Sequence, residues 1–368
     1  VHSKASLQSS FLANFRAVSS REFHKFTNLQ PNKWKMRDII VTGAAGFVGY
    51  HTVRKLLSSG KKIVGVDSLN DSYDPNLKRA RLSALQNNPN FRFSEIDLTD
   101  RRAAEFLFGT NSCEGVIHLA ADPDVRNSFA NASRHIDANV VGFVNVLNEC
   151  RRHECKHFLY ASSSAVYGDG PLEFSQSTYD SAERPISLYA ASKRANELIA
   201  HSYSHVFGLP TTGVRLFTVY GPWVRPDMAI SLFARALMAG RPINLFNYGR
   251  MQRDFIYAED AAGIIARLVD NIPGTLNAEL GSTKMPWRIL NIGSGESQDI
   301  KTLVAALEST FDRSVEKVLL PMQPGEVLSS RADLGELTAV VGELHFTPFA
   351  EGIRAFVDWY RAYYEIHS

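Results

Sequence analysis

Cysteine is scarce, with three in 368 residues. Cys113, Cys150 and Cys155 cannot all pair and fall in apolar or helical contexts, which excludes a disulfide framework and a cysteine-rich metal site. A reducing, cytoplasmic setting is the simpler reading. A charge excess is also missing: 40 Lys and Arg face 38 Asp and Glu, a formal net charge of +2, so no nucleic-acid partner is expected. No apolar run approaches the roughly 18 residues of a membrane-spanning helix, because residues such as Asn145 and Asn148 break up even the most apolar helical stretch. No membrane span is expected. Repeats and low-complexity tracts are absent. With 45% hydrophobic and 21% charged residues, the chain has the material for a large buried core.

Residues 1–35 hold many Ser, Arg and Lys residues and a single acid, Glu22. They read as an unstructured N-terminal extension; that composition is also found in organelle transit segments, and import into an organelle is the competing reading. A start at Val1 suggests a trimmed or incomplete N-terminus, with Met36 a candidate start. From there, β-branched runs (38–41, 62–66, 91–93, 115–119, 156–160, 212–216) alternate with helical stretches. This pattern predicts an α/β fold of the Rossmann type, a doubly wound parallel sheet with helices on both faces. The rhythm breaks after Gly221-Pro222, where prolines punctuate short elements. The predicted organisation is a dinucleotide-binding domain over 36–220 and a smaller substrate-binding domain over 221–368, with some segments returning to the first.

The run Val41-Thr42-Gly43-Ala44-Ala45-Gly46-Phe47-Val48-Gly49 leaves a strand and opens a helix. Glycines there let backbone approach a pyrophosphate and let helix pack on strand. Asp67 follows Gly43 by 24 residues, at the end of the second strand. Its carboxylate suits ribose hydroxyls and repels a 2′-phosphate, and Ser68 brings no compensating cation, so NAD is expected over NADP. Further along, Tyr189 and Lys193 are four apart on a predicted helix, which puts phenol and ammonium on one face. The Lys193 cation and the positive nicotinamide ring both favour phenolate, which makes Tyr189 a usable base near neutrality. Ser163, at the end of the fifth strand in Ser162-Ser163-Ser164-Ala165-Val166-Tyr167-Gly168, is the candidate that bridges substrate oxygen and Tyr189. His201 and His205 have zinc-ligand spacing but lack the glutamate between them, so no metal site is expected.

These motifs, with His118-Leu119-Ala120-Ala121, resemble the extended short-chain dehydrogenase family from residue 37 to about 365. Within it the chain is most similar to the UDP-glucuronate 4-epimerases, through Tyr73-Asp74-Pro75-Asn76-Leu77-Lys78-Arg79-Ala80-Arg81, the segment 217–228, and Gln323-Pro324-Gly325-Glu326. The resemblance implies a nucleotide-sugar isomerase that inverts sugar C4 with recycled NAD and acts as a homodimer through helices 132–151 and 187–207. It assigns Gly43, Gly46, Phe47, Val48, Gly49, Asp67, Asp97, Leu98, Leu119, Ala120, Ala121, Asn139, Tyr189 and Lys193 to the cofactor. It assigns Ser163, Ser164, Thr218, Arg225, Arg253, Gln323 and Glu326 to the UDP-sugar.

Related 4,6-dehydratases carry Asp-Glu after the serine and decarboxylases a Glu before Val-Tyr-Gly; this chain has Ser164 and Ala165 there. Without that extra acid, oxidation followed by re-reduction is the expected chemistry, ahead of elimination or decarboxylation, and ahead of a noncatalytic NAD-sensing module. A neutral-sugar epimerase is the other competing reading, because Asp122-Pro123-Asp124 replaces the usual Gln-Ala-Gly. Two carboxylates pointing inward would repel an acidic sugar.

Overall fold

The computed structural model describes residues 38–125, 128–168, 175–274, 285–323 and 325–365; the extension at 1–35 lies outside them. Strands β1 (Asp38–Thr42) and β2 (Ile63–Asp67) are buried at every position, as an apolar run enclosed on both faces requires. With β3 (Phe91–Glu95), β4 (Cys113–His118), β5 (His157–Ser163), β6 (Thr211–Leu216) and β10 (Trp287–Ile292) they form one parallel sheet. Its order is β10-β6-β5-β4-β1-β2-β3. Strand order reverses between β1 and β4, where a crevice opens at the carboxyl ends of the strands. Thr42 and His118 close the two strands there, 2.9 Å apart from Oγ1 to Nδ1.

Helix starts follow local chemistry. Asp74 caps α2 (Pro75–Gln86), accepting the Asn76 amide hydrogen, with proline at the first helical position. Ser187 caps α6 (Leu188–Phe207) through the Ala190 amide, and Gly208, at φ +66°, ends it. Such caps satisfy amides that have no intrahelical partner. The predicted helix at 132–151 is broken into α4 (Ala132–Ile136), a π-turn (Asp137–Val141) and α5 (Gly142–Arg152). The extra residue of a π-turn re-aims a side chain, and here it sets Asn139.

One face of the sheet packs on α1 (Phe47–Ser58) and α8 (Ala258–Asp270) through Val53, Leu56, Ile264 and Leu268. The other packs on α3 (Arg101–Thr110) and α5 through Leu107, Phe143 and Leu147. Beyond β6, strands β7 (Thr218–Tyr220), β9 (Gln252–Tyr257) and β11 (Ser297–Asp299) form a second sheet, and β8 (Ile243–Leu245) pairs with β12 (Lys317–Leu319). From residue 38 onward the described residues belong to one compact unit. Among them no helix is long and apolar enough to cross a membrane.

Burial sets an acid limit on this fold. His157, between the Val269 carbonyl and Thr212 Oγ1, is pushed down to about 4, and burial next to Lys193 lowers His118 to about 3. The unfolded chain binds protons at about 6.5, so their contribution is complete above that pH and is lost as pH falls through the folded values. Unfolding free energy is therefore expected to drop by up to about 1.4 kcal/mol per pH unit per histidine between about pH 6.5 and 4. Urea titrations across this range check it: His157→Gln should flatten the slope by one histidine's share, and an unchanged slope would contradict the assignment.

Candidate active site

A cavity of about 940 Å³ lies at the crevice. Its floor is the glycine turn. Gly43 has φ +69°, and a Cβ on it would stand 2.7 Å from the Ala120 nitrogen; a Cβ on Gly49 would stand 2.0 Å from the Gly43 carbonyl oxygen. Only glycine allows the turn to lie this close to β4 and α1. The first turn of α1 has no side-chain cap and no acidic residue, so its amides present partial positive charge to the cavity, the donor set that a pyrophosphate requires. Asp67 ends β2 on the cavity wall, held by the amides of Ala45 at 3.2 Å and Leu69 at 2.9 Å. Phe47, Val48, Asp97, Leu98, Leu119, Ala120 and Ala121 line the same space. These residues fit an NAD molecule laid across the switch point.

At the other end of the cavity stand Ser163, Ser164, Tyr189, Lys193, Thr218 and Arg225. Ser163 stands close enough to Tyr189 for its side chain to pull the phenol down. Ser163 Oγ also accepts the Ala165 amide at 3.2 Å. Lys193 donates to the Ala161 carbonyl at 3.1 Å, and its nitrogen lies 5.8 Å from the Tyr189 ring centre. Burial lowers Lys193 to about 8. Without the nicotinamide ring, burial raises Tyr189, while the Ser163 side chain and the Arg225 charge pull it down. Desolvation of an anion outweighs these neighbours, so the residues alone hold the phenol protonated.

Other expectations shift as well. Asn139 is not on the cavity wall. Its side chain grips Asp122 twice, accepting the amide hydrogen at 2.7 Å and donating to the carbonyl at 3.0 Å; its carbonyl accepts from Asn196 at 2.8 Å. It braces the loop that borders the cavity. That loop offers Pro123 and Val125 to the cavity, and neither Asp122 nor Asp124 lines it. Asp122 Oδ1 accepts the Asp124 amide at 3.2 Å, so the feared inward carboxylates are absent from the wall. Arg253 pairs with Glu326 at 3.2 Å, not with Asp254; Asp254 is fully buried and takes the amides of Ser294, Gly295 and Ala332. Arg253, Gln323 and Glu326 lie off the cavity lining.

Two features escaped the sequence reading. Lys78, from α2, reaches the cavity with its nitrogen 2.7 Å from Asn70 Oδ1 and 3.8 Å from Asp67. A cation therefore does stand beside Asp67, engaged by that carboxylate. Behind Ser163, Glu197 of α6 holds Arg215 of β6 by two contacts of 2.9 Å and accepts the Ser162 hydroxyl at 2.6 Å. Breaking a buried pair of this kind costs about 3–5 kcal/mol. The motif spacing of α6 carries one signal for it, since Glu197 lies one turn past Lys193.

Residues 39–279 match the model of the NAD dependent epimerase/dehydratase family. A probable UDP-glucuronate 4-epimerase of Rhizobium meliloti is 38% identical, covering 87% of this chain and 96% of that protein. The crystal structure of a UDP-glucuronic acid 4-epimerase from Bacillus cereus, in complex with UDP-glucuronic acid and NAD, superposes with a TM-score of 0.79 at 28% identity. The match covers 89% of this chain and all of that one. A UDP-glucose 4-epimerase of Thermus thermophilus in complex with NAD gives 0.75 at 28%, over 88% and 99%. A glycine turn that admits no side chain, an acid ending β2, and a Ser-Tyr-Lys set sharing their cavity thus accompany a match over most of the folded chain, which belongs to the NAD dependent epimerase/dehydratase family.

Proposed function

We propose that the protein inverts C4 of a UDP-hexuronate, interconverting UDP-glucuronate and UDP-galacturonate, with NAD held between the glycine turn and Asp67. The observation that carries the substrate choice is Arg225. It lines the same cavity as Ser163, Tyr189 and Lys193, and its charge is near enough to Tyr189 to pull the phenol down. A guanidinium on the same wall as Tyr189, with Thr218 also lining that cavity, suits a carboxylate. Arg225 is preset by Asp227, which takes it at 3.0 and 2.7 Å.

When bound, NAD supplies a hydride acceptor, a donor for the return step, and a positively charged oxidised ring. Tyr189 takes the proton of the sugar 4-hydroxyl as C4 becomes a ketone. Ser163, beside Tyr189, aligns that proton, and the Lys193 ammonium stabilises the phenolate. The neighbours after Ser163 are Ser164 and Ala165, so no third acid-base group stands ready for elimination. Thr218 and Arg225 hold the carboxylate away from the perpendicular orientation in which a β-keto acid loses carbon dioxide. Incubation with UDP-glucuronate, UDP-glucose and UDP-galacturonate, without added reductant, tests this: conversion of the two hexuronates into each other is expected, and turnover of UDP-glucose alone would refute it.

Arg253 is read as the cation for the UDP pyrophosphate. Gln323, on the segment that also carries Glu326, has a buried Oε1 with no protein partner, as a ligand-binding amide would. Arg253→Ala should raise the KM for UDP-glucuronate about tenfold or more with bound NAD unchanged; loss of NAD with an unaltered KM would place the arginine elsewhere. A homodimer across α5 and α6 belongs to the same reading. Leu198, Val206 and Phe207 are exposed apolar residues on α6, and sedimentation at micromolar concentration checks it.

A further inference from the structure

Arg81 has no role in the reading above, yet it is among the largest fully buried side chains of the protein. Among the described residues its guanidinium makes no ion pair. It donates instead to three neutral oxygens: the Ala45 carbonyl in the glycine turn at 2.7 Å, the Tyr73 hydroxyl at 2.7 Å, and the Trp223 carbonyl at 2.5 Å. One planar side chain thus spans the cofactor turn, a cavity-lining phenol and the segment that carries Arg225. A buried guanidinium facing only dipoles is costly to keep, and the cost is understandable where its fixed fork sets geometry.

The segment it holds needs holding. Gly221 and Trp223 both have positive φ, +138° and +66°. For a bulky residue such as Trp this is a strained conformation that persists only when neighbours impose it. The preceding carbonyl, Pro222, faces His51 Nε2 at 2.9 Å, and His51 Nδ1 lies 2.8 Å from Glu259. The Trp223 ring packs against Tyr50, Trp359 and Tyr363. Two successive carbonyls are therefore gripped from α1 and α2, and Arg225 leaves the backbone two residues later.

We propose that Arg81 is a positioning residue that fixes the Arg225 arm against the cofactor turn and so sets where the substrate carboxylate is held. This rests on the hexuronate reading. Lysine cannot reproduce the clamp, because a point charge does not span three acceptors set by a planar fork. In Arg81→Lys with NAD bound, the KM for UDP-glucuronate should rise about tenfold while kcat stays within about threefold. Inhibition by UDP, which has no carboxylate, should be unchanged, and UDP-pentose should appear beside UDP-galacturonate. Amides 223–228 should exchange hydrogen faster, with those of β1 and β4 unaltered.

A uniform loss of NAD, UDP binding and turnover, or unchanged KM, products and exchange, would overturn the proposal. If Arg81→Lys does not fold, exchange in the wild-type holoenzyme decides: amides 223–225 protected like those of β1 support the clamp, and exchange as fast as exposed loops refutes it. Failure of the wild type to use UDP-glucuronate would refute the hexuronate reading, whereas the exchange data report on the clamp separately.

Discussion

Replacing Tyr189 by phenylalanine is expected to lower kcat about 10²–10⁴-fold, the range associated with loss of a general acid-base group, while NAD content and melting temperature stay close to wild type. The ring keeps its place at the start of α6, and only the hydroxyl near Ser163 is lost. Steady-state epimerisation assays with a count of bound NAD check it. Near-normal turnover would remove Tyr189 from the proton path. Lys193→Ala should also be slow, because it removes the buried cation whose nitrogen lies 5.8 Å from the Tyr189 ring centre. Loss of activity at Ser164→Ala with normal activity at Ser163→Ala would move the serine role by one residue.

The second large effect is expected at Arg225. Truncating one partner of a buried charge-assisted contact costs about 2–5 kcal/mol, so Arg225→Ala should lower kcat/KM for UDP-glucuronate by roughly 30-fold to several thousandfold. The β-keto acid formed at C4 would then be less restrained, and UDP-pentose is expected among the products. Chromatography of the nucleotide sugars reads both. Equal kinetics in variant and wild type, with no pentose, would mean that the carboxylate is held elsewhere. Asp227 offers no substitute because it carries the wrong charge.

The parts of this site legible in the sequence are those that sterics or helix geometry force into a local pattern. Gly43 and Gly49 can be read because no other residue fits against Ala120 and the Gly43 carbonyl. Tyr189 and Lys193 can be read because one helical turn brings them together. The illegible parts are contacts between distant elements. Lys78 meets Asp67 only when α2 folds back over β2, and Glu197 meets Arg215 only when α6 lies on the sheet. Asp122 and Asp124 look locally like a barrier to an acidic substrate; the π-turn at Asp137–Val141 and the Asn139 side chain it positions decide how that loop lies, and nothing in the local pattern announces a π-turn.

The ionisation of Tyr189 was illegible for a different reason. The sequence shows the cation four residues away but not the depth of burial, and burial wins. Proximity of Lys193 alone therefore does not make Tyr189 a base. The Arg225 charge pulls in the needed direction, so in the proposed function one side chain would serve both substrate recognition and proton transfer.

The central claim is that C4 of a hexuronate is oxidised and re-reduced by the same bound cofactor. Proton NMR of UDP-glucuronate with the holoenzyme in deuterated water tests it most directly. The account predicts growth of UDP-galacturonate to a constant ratio, the C4 hydrogen retained at full intensity with its changed coupling pattern, and no accumulation of reduced nicotinamide. Deuterium at C4, or an unaltered UDP-glucuronate spectrum under conditions where UDP-glucose is epimerised, would contradict it.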